Sequence, residues 1–337
     1  MRICKIIVSL ISVLALAFAL CACNIPGGTS QPQESAASSA VSEPEQSVQE
    51  SSEPEPELPL AVIEAPEVIR VLEPRGREET PDLLSYAATD GENLRIMGTY
   101  DPDVPGVYGL SFAADNAQGK TTERPFTLKV LALAYNEEGQ LVDGEYETVK
   151  GYPLVVKDGI AYIDGILLAN KTYPLPSDYL PGGILPEAEE ALAEMRAAAP
   201  AELRGRVYIR SGYRSYAEQR YIYNSYLLED PKEVVDSYSA RPGHSEHQSG
   251  LAMDILCAST ALSTQEGYKD VLDWLGENAW KYGFILRYPD GKTDETGYIF
   301  EPWHYRYVGK ELAEILYADG EWITVEDYFG IDSEYKY

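Results

Sequence analysis

Three histidines occur in 337 residues, and all three fall in two short stretches of the C-terminal half. The first stretch is Ser245-Glu246-His247-Gln248-Ser249-Gly250-Leu251-Ala252-Met253-Asp254, preceded directly by His244. The second is Glu301-Pro302-Trp303-His304. Histidine is the commonest metal ligand and titrates near neutrality, so this concentration is informative. A hydrolytic metal site needs about three nitrogen or oxygen ligands, an open position for water and a carboxylate to take the water's proton. His247, Asp254 and His304 can supply the ligands, and Glu301 can supply the base. His244 is expected in a loop at the cleft mouth, with no ligand role. Trp303 and Tyr305 are expected in core or cleft wall.

These side chains must be carried to one place. The gap of seven between His247 and Asp254 lets a loop bearing the first fold back over a strand bearing the second. In a strand from Leu251 to Leu256, Ala252, Asp254 and Leu256 share one face. Glu301 and His304 lie three apart and would point to opposite faces of a regular strand. Pro302 cannot donate a ladder hydrogen bond, so the strand is expected to begin after it, with a bend that aims both side chains at one point. Around them, Pro186 to Ala198 reads as a helix with proline in its first turn and Leu192 and Met195 on one face. Arg206 to Arg210 alternates as a strand. Ser215 and Glu218 have capping-box spacing and predict a helix over 216–227. Lys269 to Tyr282 is amphipathic, with Val271, Leu272, Trp274 and Leu275 inward, and stops at Gly283. Phe284–Tyr288 and Trp303–Tyr307 read as further strands. The order predicts an α+β domain, an antiparallel sheet with flanking helices, rather than a doubly wound sheet.

Ser-x-His-x-x-Gly-x-Ala-x-Asp followed by Glu-x-x-His resembles the zinc D-alanyl-D-alanine carboxypeptidases of the VanY type and the related L,D-carboxypeptidases, and every fixed position is matched. The resemblance spans roughly 160 to 330 and takes in Leu175-Pro176-Ser177-Asp178-Tyr179 and Ser211-Gly212-Tyr213-Arg214-Ser215-Tyr216. It implies Zn2+ as cofactor, held by His247, Asp254 and His304, with Glu301 as base and Arg214 steadying the charged intermediate. It places Gln219 and Ser245 against the substrate, a peptidoglycan stem peptide losing its terminal D-alanine. Other functions compatible with the motifs are an L,D-carboxypeptidase on tetrapeptide stems, an endopeptidase, or a non-enzymatic wall-binding lipoprotein.

The chain begins with Arg2 and Lys5 and an apolar run from Ile6 to Leu20, too short for a membrane span and suited to an export signal. Leu20-Cys21-Ala22-Cys23 resembles a bacterial lipobox, which implies a signal over 1–22 and a lipid on Cys23, tethering the protein outside the cytoplasm. Of four cysteines, only Cys257 would then stay free, expected as a buried small hydrophobe. Residues 23–60 are rich in Ser, Glu, Gln and Pro and are expected to form a disordered stalk reaching on the order of 100 Å. From 61 to 132, short strands at Val68–Leu72, Leu94–Met97, Gly106–Phe112 and Phe126–Val130 predict a small all-β sandwich. Tyr100 to Val130 resembles bacterial immunoglobulin-like repeats. Residues 133–159 read as a β connector into a peptidase domain over 160–337. Losing Arg2 and Lys5 would take the net charge from −28 to −30. Such a charge argues against nucleic acid as a partner, and no protein partner is predicted.

Overall fold

The computed structural model describes residues 56–74, 80–255, 268–318 and 320–335. The expected export signal, the lipid site at Cys23, nearly all of the stalk and Cys257 lie outside the described residues. Glu57–Tyr337 form one compact unit. Among the described residues no helix is long and apolar enough to cross a membrane.

The first part is all β: β1 (Ile63–Glu64), β2 (Val68–Leu72), β3 (Ala88–Thr89), β4 (Glu92–Met97), β5 (Gly106–Asp115) and β6 (Thr121–Leu131). The four longer strands form a sheet in the order β2-β6-β5-β4, and β1 pairs with β3. The long β5–β6 hairpin closes on Asn116, whose side-chain oxygen accepts from the backbone N–H of Gln118 and Lys120. Alternation sends Leu110, Phe112, Ala114, Phe126, Leu128 and Val130 to one face, where they pack with Ile63, Ile69, Val71 and Leu83. The four strands expected here are all present, with β4, β5 and β6 longer than expected. The β2–β6 pairing is parallel, which a strand pattern alone does not reveal.

The stretch 144–167 folds as a second antiparallel sheet of β7 (Gly144–Glu147), β8 (Pro153–Lys157), β9 (Ile160–Ile163) and β10 (Ile166–Leu167). Its Leu154, Val156, Ala161 and Ile163 share a core with Ala313, Leu316, Val325 and Phe329 from the end of the chain. Lys129 and Arg70 of the first sheet both bind Glu147 of β7, at 2.6 and 2.7 Å.

Beyond it come α1 (Pro186–Ala198), α2 (Ala201–Arg204), β11 (Ile209–Ser211), α3 (Tyr216–Tyr226), α4 (Lys232–Tyr238), β12 (Ala252–Ile255) and α5 (Lys269–Asn278). They are followed by β13 (Phe284–Leu286), α6 (Thr293–Thr296), β14 (His304–Tyr307), α7 (Lys310–Leu316), β15 (Tyr317–Ala318), β16 (Glu321–Trp322) and α8 (Val325–Phe329). The sheet order is β11-β12-β14-β13, antiparallel throughout, as expected for an α+β domain. Met253, Ile255 and Tyr305 point to its back, where α1 and α5 bring Leu192, Met195, Val271 and Leu275. Burying each such side chain stabilises the fold by about 1.5–3 kcal/mol. The helix from Lys269 tightens into a 3-10 turn over Ala279–Tyr282 before Gly283 stops it at φ 88°. The expected strands are shorter here: β11 starts at Ile209, β12 at Ala252 and β14 at His304, and β13 ends at Leu286. The short helices α2 and α4 have too few turns to leave a clear periodicity in the sequence.

Candidate active site

The back of the β11–β14 sheet is apolar, and its front carries the chemistry. Asp254 on β12 stands directly across from His304 on β14. Opposite residues of an antiparallel pair hold their Cβ atoms about 5 Å apart on the same face. The pairing therefore brings together two groups fifty positions apart. As expected from Pro302, the strand begins only at His304. The preceding turn, closed by His304 N–H donating to the Glu301 carbonyl at 3.1 Å, carries Glu301 Oε2 to 3.6 Å from His304 Nδ1.

His247 arrives on a 3-10 turn, Glu246–Ser249, that ends at Gly250 with φ 73°. A Cβ at Gly250 would sit 2.5 Å from the Gly183 carbonyl oxygen, so only glycine fits this turn against the approach to α1. His247 Nδ1 lies 2.7 Å from the Gly212 carbonyl. A carbonyl can only accept, so Nδ1 donates and Nε2 carries the free lone pair. That Nε2 is 3.5 Å from Asp254 Oδ1, and His304 Nδ1 is 3.3 Å from the same oxygen. The two imidazoles stand nearly perpendicular, at 84°.

The ligand atoms of His247, Asp254 and His304 lie within 4.8 Å of one another, and all three side chains are buried. Two ligands at about 2.05 Å from a tetrahedral ion are about 3.3 Å apart, close to the two separations involving Asp254. Asp254 Oδ1 is also buried without a hydrogen-bond partner. A buried orphan acceptor is costly, and a cation between the three groups would satisfy it. The residues therefore fit a divalent metal.

Electrostatics agree. Burial alone would raise the Asp254 carboxyl, but His247 and His304 outweigh it and hold it well below the usual carboxylate range. Burial opposes charge on His304, yet the Asp254 and Glu246 carboxylates close beside its two ring nitrogens push it up to about 9. His247 is lowered, chiefly by burial. Without a metal this site draws in a proton, which a metal would displace. Burial raises the Glu301 carboxyl to about 7, with His304 opposing the rise. That is the range in which a base works well at neutral pH.

A cleft of about 530 Å3 opens onto these groups, with Arg214, Ser245, Tyr238, Ile299 and Trp303 among its walls. Arg214 lies between β11 and the capped start of α3, where Ser215 and Glu218 form the expected capping box. Its backbone N–H donates to the His247 carbonyl at 3.1 Å, which ties it to the metal turn. Its guanidinium donates to Ser211 Oγ at 3.0 Å and to Gln219 Oε1 at 2.7 Å. Gln219, expected against the substrate, is almost fully buried. Its amide nitrogen donates to the Ala240 carbonyl at 2.6 Å, so its carboxamide holds Arg214 in place. Ser245 lines the cleft and makes no side-chain cap hydrogen bond, although it opens the 3-10 turn. Trp303 lies in the cleft wall and Tyr305 in the core, as expected.

His244 is a correction. It does not line the cleft: its Nδ1 lies 2.8 Å from the Asn170 carbonyl and its ring packs on Tyr335. Burial pushes it down to about 4, so it is neutral. The sequence reading also passed over Glu246. Its carboxylate is buried, and its Oε2 is 3.3 Å from His304 Nε2. Burial would raise this group, but Arg287 and Arg306 hold it well below its ordinary value. Its position beside a candidate ligand was the only available signal.

The VanY D-alanyl-D-alanine carboxypeptidase family matches residues 183–310. Over 237 residues the chain is 34% identical to YodJ of Bacillus subtilis (strain 168), a carboxypeptidase by name; the match covers 63% of this chain and 84% of YodJ. The chain belongs to the VanY-type carboxypeptidase family. It is 46% identical over 128 residues to a D-alanyl-D-alanine carboxypeptidase of Enterococcus faecium, 38% of each protein. A crystal structure of DacB, an L,D-carboxypeptidase from a Streptococcus, is 40% identical with a TM-score of 0.47, covering 55% of this chain and 100% of that one. As a VanY-type protein, the chain is a hydrolase acting on peptide bonds.

Proposed function

We propose that this protein is a zinc-dependent D-alanyl-D-alanine carboxypeptidase that removes the terminal D-alanine from peptidoglycan stem peptides outside the cytoplasm. The observation that carries the reading is the buried His247–Asp254–His304 cluster, with the orphan Asp254 oxygen at its centre and Glu301 beside it. Family membership supports the substrate class.

Zinc held by His247 Nε2, the Asp254 carboxylate and His304 Nδ1 would supply a Lewis acid for the scissile carbonyl and lower the pKa of water toward 7. Glu301 takes a proton from the attacking water and hands it to the leaving amine. Arg214 donates to the developing oxyanion, a contribution worth about 3 kcal/mol per donor in comparable sites. Gln219 keeps the Arg214 guanidinium aimed at that position. Ser245, whose hydroxyl is not spent on a cap, donates to the free carboxylate of the substrate.

The remaining parts of the chain are assigned from sequence. Residues 1–22 are a lipoprotein signal, Cys23 carries the lipid, and 23–60 are a stalk. Residues 61–132 are an immunoglobulin-like spacer, joined through the connector 133–159 to the peptidase domain at 160–337. Replacing Cys23 by Ala should move the protein from the membrane fraction to the soluble one.

Purified pentapeptide and tetrapeptide muropeptides, incubated with the protein and read by mass spectrometry, test the specificity. Loss of one terminal D-alanine from the pentapeptide alone is the expected result. Trimming of the tetrapeptide alone would assign an L,D-carboxypeptidase instead.

A further inference from the structure

We infer that Glu246 is a positioning residue for the metal centre. On this reading it fixes His304 with Nε2 protonated and Nδ1 free to bind metal, and is itself locked in place by a buried ion-pair chain running to helix α8. The inference rests on the zinc reading above and deepens it.

Glu246 precedes the ligand His247 in the same 3-10 turn. Its Oε2 faces His304 Nε2 at 3.3 Å. Its Oε1 accepts from Arg287 Nε at 2.8 Å and from Arg306 Nη1 at 3.2 Å. A carboxylate so held can only accept, so His304 Nε2 must be the donor, and Nδ1 is the nitrogen left to bind a metal that displaces its proton. That nitrogen is the one facing Asp254 Oδ1 and Glu301. Glu246 thus selects the His304 tautomer as the Gly212 carbonyl selects that of His247.

The two arginines are committed elsewhere in the protein. Arg287 Nη1 and Nη2 donate to both oxygens of Glu326 on α8, at 2.8 and 2.6 Å. Arg306 Nη2 donates to the Leu167 carbonyl at 2.6 Å, and its Nε to the Tyr307 carbonyl at 3.0 Å. Glu326 also accepts from Asn170 Nδ2 at 2.9 Å. Glu246, Arg287, Arg306 and Glu326 are each under a twentieth exposed. Two buried cations and two buried anions balance, and all three nitrogens of each guanidinium are engaged within the protein. Strand alternation explains the placement: His304 and Arg306 share the front face of β14, so one carboxylate can reach both. The metal site is therefore braced by three remote segments, around Asn170, Arg287 and Glu326.

Glu246→Gln should weaken zinc binding by about 10- to 100-fold in chelator competition, and should alter the visible spectrum of the cobalt-loaded protein. Glu326→Gln, one ion pair further out, serves as the control. It should lower thermal stability while shifting zinc affinity much less. A wild type that binds no zinc would overturn the zinc reading and this inference with it. A wild type that binds zinc, with affinity and cobalt spectrum unchanged in a folded Glu246→Gln, would overturn the inference alone. Should that variant fail to fold, nitrogen NMR of the zinc-loaded wild type decides the matter. A proton on His304 Nε2 with metal on Nδ1 is expected, and the reverse arrangement contradicts the inference.

Discussion

Two of the three four-stranded sheets among the described residues use their second face in opposite ways. The β2-β6-β5-β4 sheet buries one face against β1 and Leu83 and leaves much of the other in water, with Val107 71% exposed. The β11-β12-β14-β13 sheet buries both at its centre. Every residue of β12 is buried, and its front carries Asp254, His304 and Arg306 in place of apolar groups. Within 57–132 the buried polar side-chain groups among the described residues are few: Asn116, which closes a turn, and the Thr122 hydroxyl. The polar face of the β11–β14 sheet therefore contributes little through apolar burial, and its groups are held by ion pairs, backbone carbonyls and the expected metal. A face built this way has given up packing energy for chemistry.

The sharpest way to break this contrast is at the front of the β11–β14 sheet. Glu301→Gln should lower kcat by about 10²- to 10⁴-fold while zinc content stays at the wild-type level. D-alanine release together with elemental analysis reads both, and near-normal turnover would remove Glu301 from the base role. The first sheet should respond in the opposite sense. Phe112 is fully buried and stacked on Phe126 at 4.4 Å, so Phe112→Ala should cost about 3–5 kcal/mol in denaturant unfolding. Its kcat/KM should match wild type wherever the protein is folded, and a selective loss of turnover would show that the two sheets are not functionally separate.

The pH profile sharpens the comparison further. Burial puts the Glu301 carboxyl at about 7 without metal, and a nearby divalent cation lowers it. Because the base must be ionised, kcat/KM should fall tenfold per unit on the acid side, with the limb at or below about pH 7. An acid limb well above pH 7 would contradict that assignment. Smaller effects belong to the scaffold. Ser215→Ala removes the capping box that starts α3 beside Arg214 and should cost about 1 kcal/mol of thermal stability. Val107→Lys, on the wet face of the first sheet, should stay within about 0.5 kcal/mol of wild type.

The sequence was most legible where a residue type has few uses. Three histidines, one proline before a strand and a Ser-x-x-Glu pair each carry a local physical meaning, and the ligand cluster, the late start of β14 and the cap of α3 follow from them. Partnership between remote segments was not legible. Nothing in Glu246, Arg287, Arg306 or Glu326 distinguishes a buried network from four solvated charges until β12, β14 and α8 come together. The same holds for Gln219, whose helix-face position says nothing about Arg214. His244 misled for a related reason: its neighbours Asn170 and Tyr335 are distant in sequence, so its removal from the cleft is a tertiary fact. The short helices α2 and α4 escaped because fewer than two or three turns leave almost no periodic signal.

Metal dependence of hydrolysis is the most direct test of the whole account. The purified chain should carry about one zinc, lose pentapeptide hydrolysis when stripped by a chelator, and regain it when zinc is returned. Hydrolysis at the wild-type rate by protein that elemental analysis finds free of metal would contradict it.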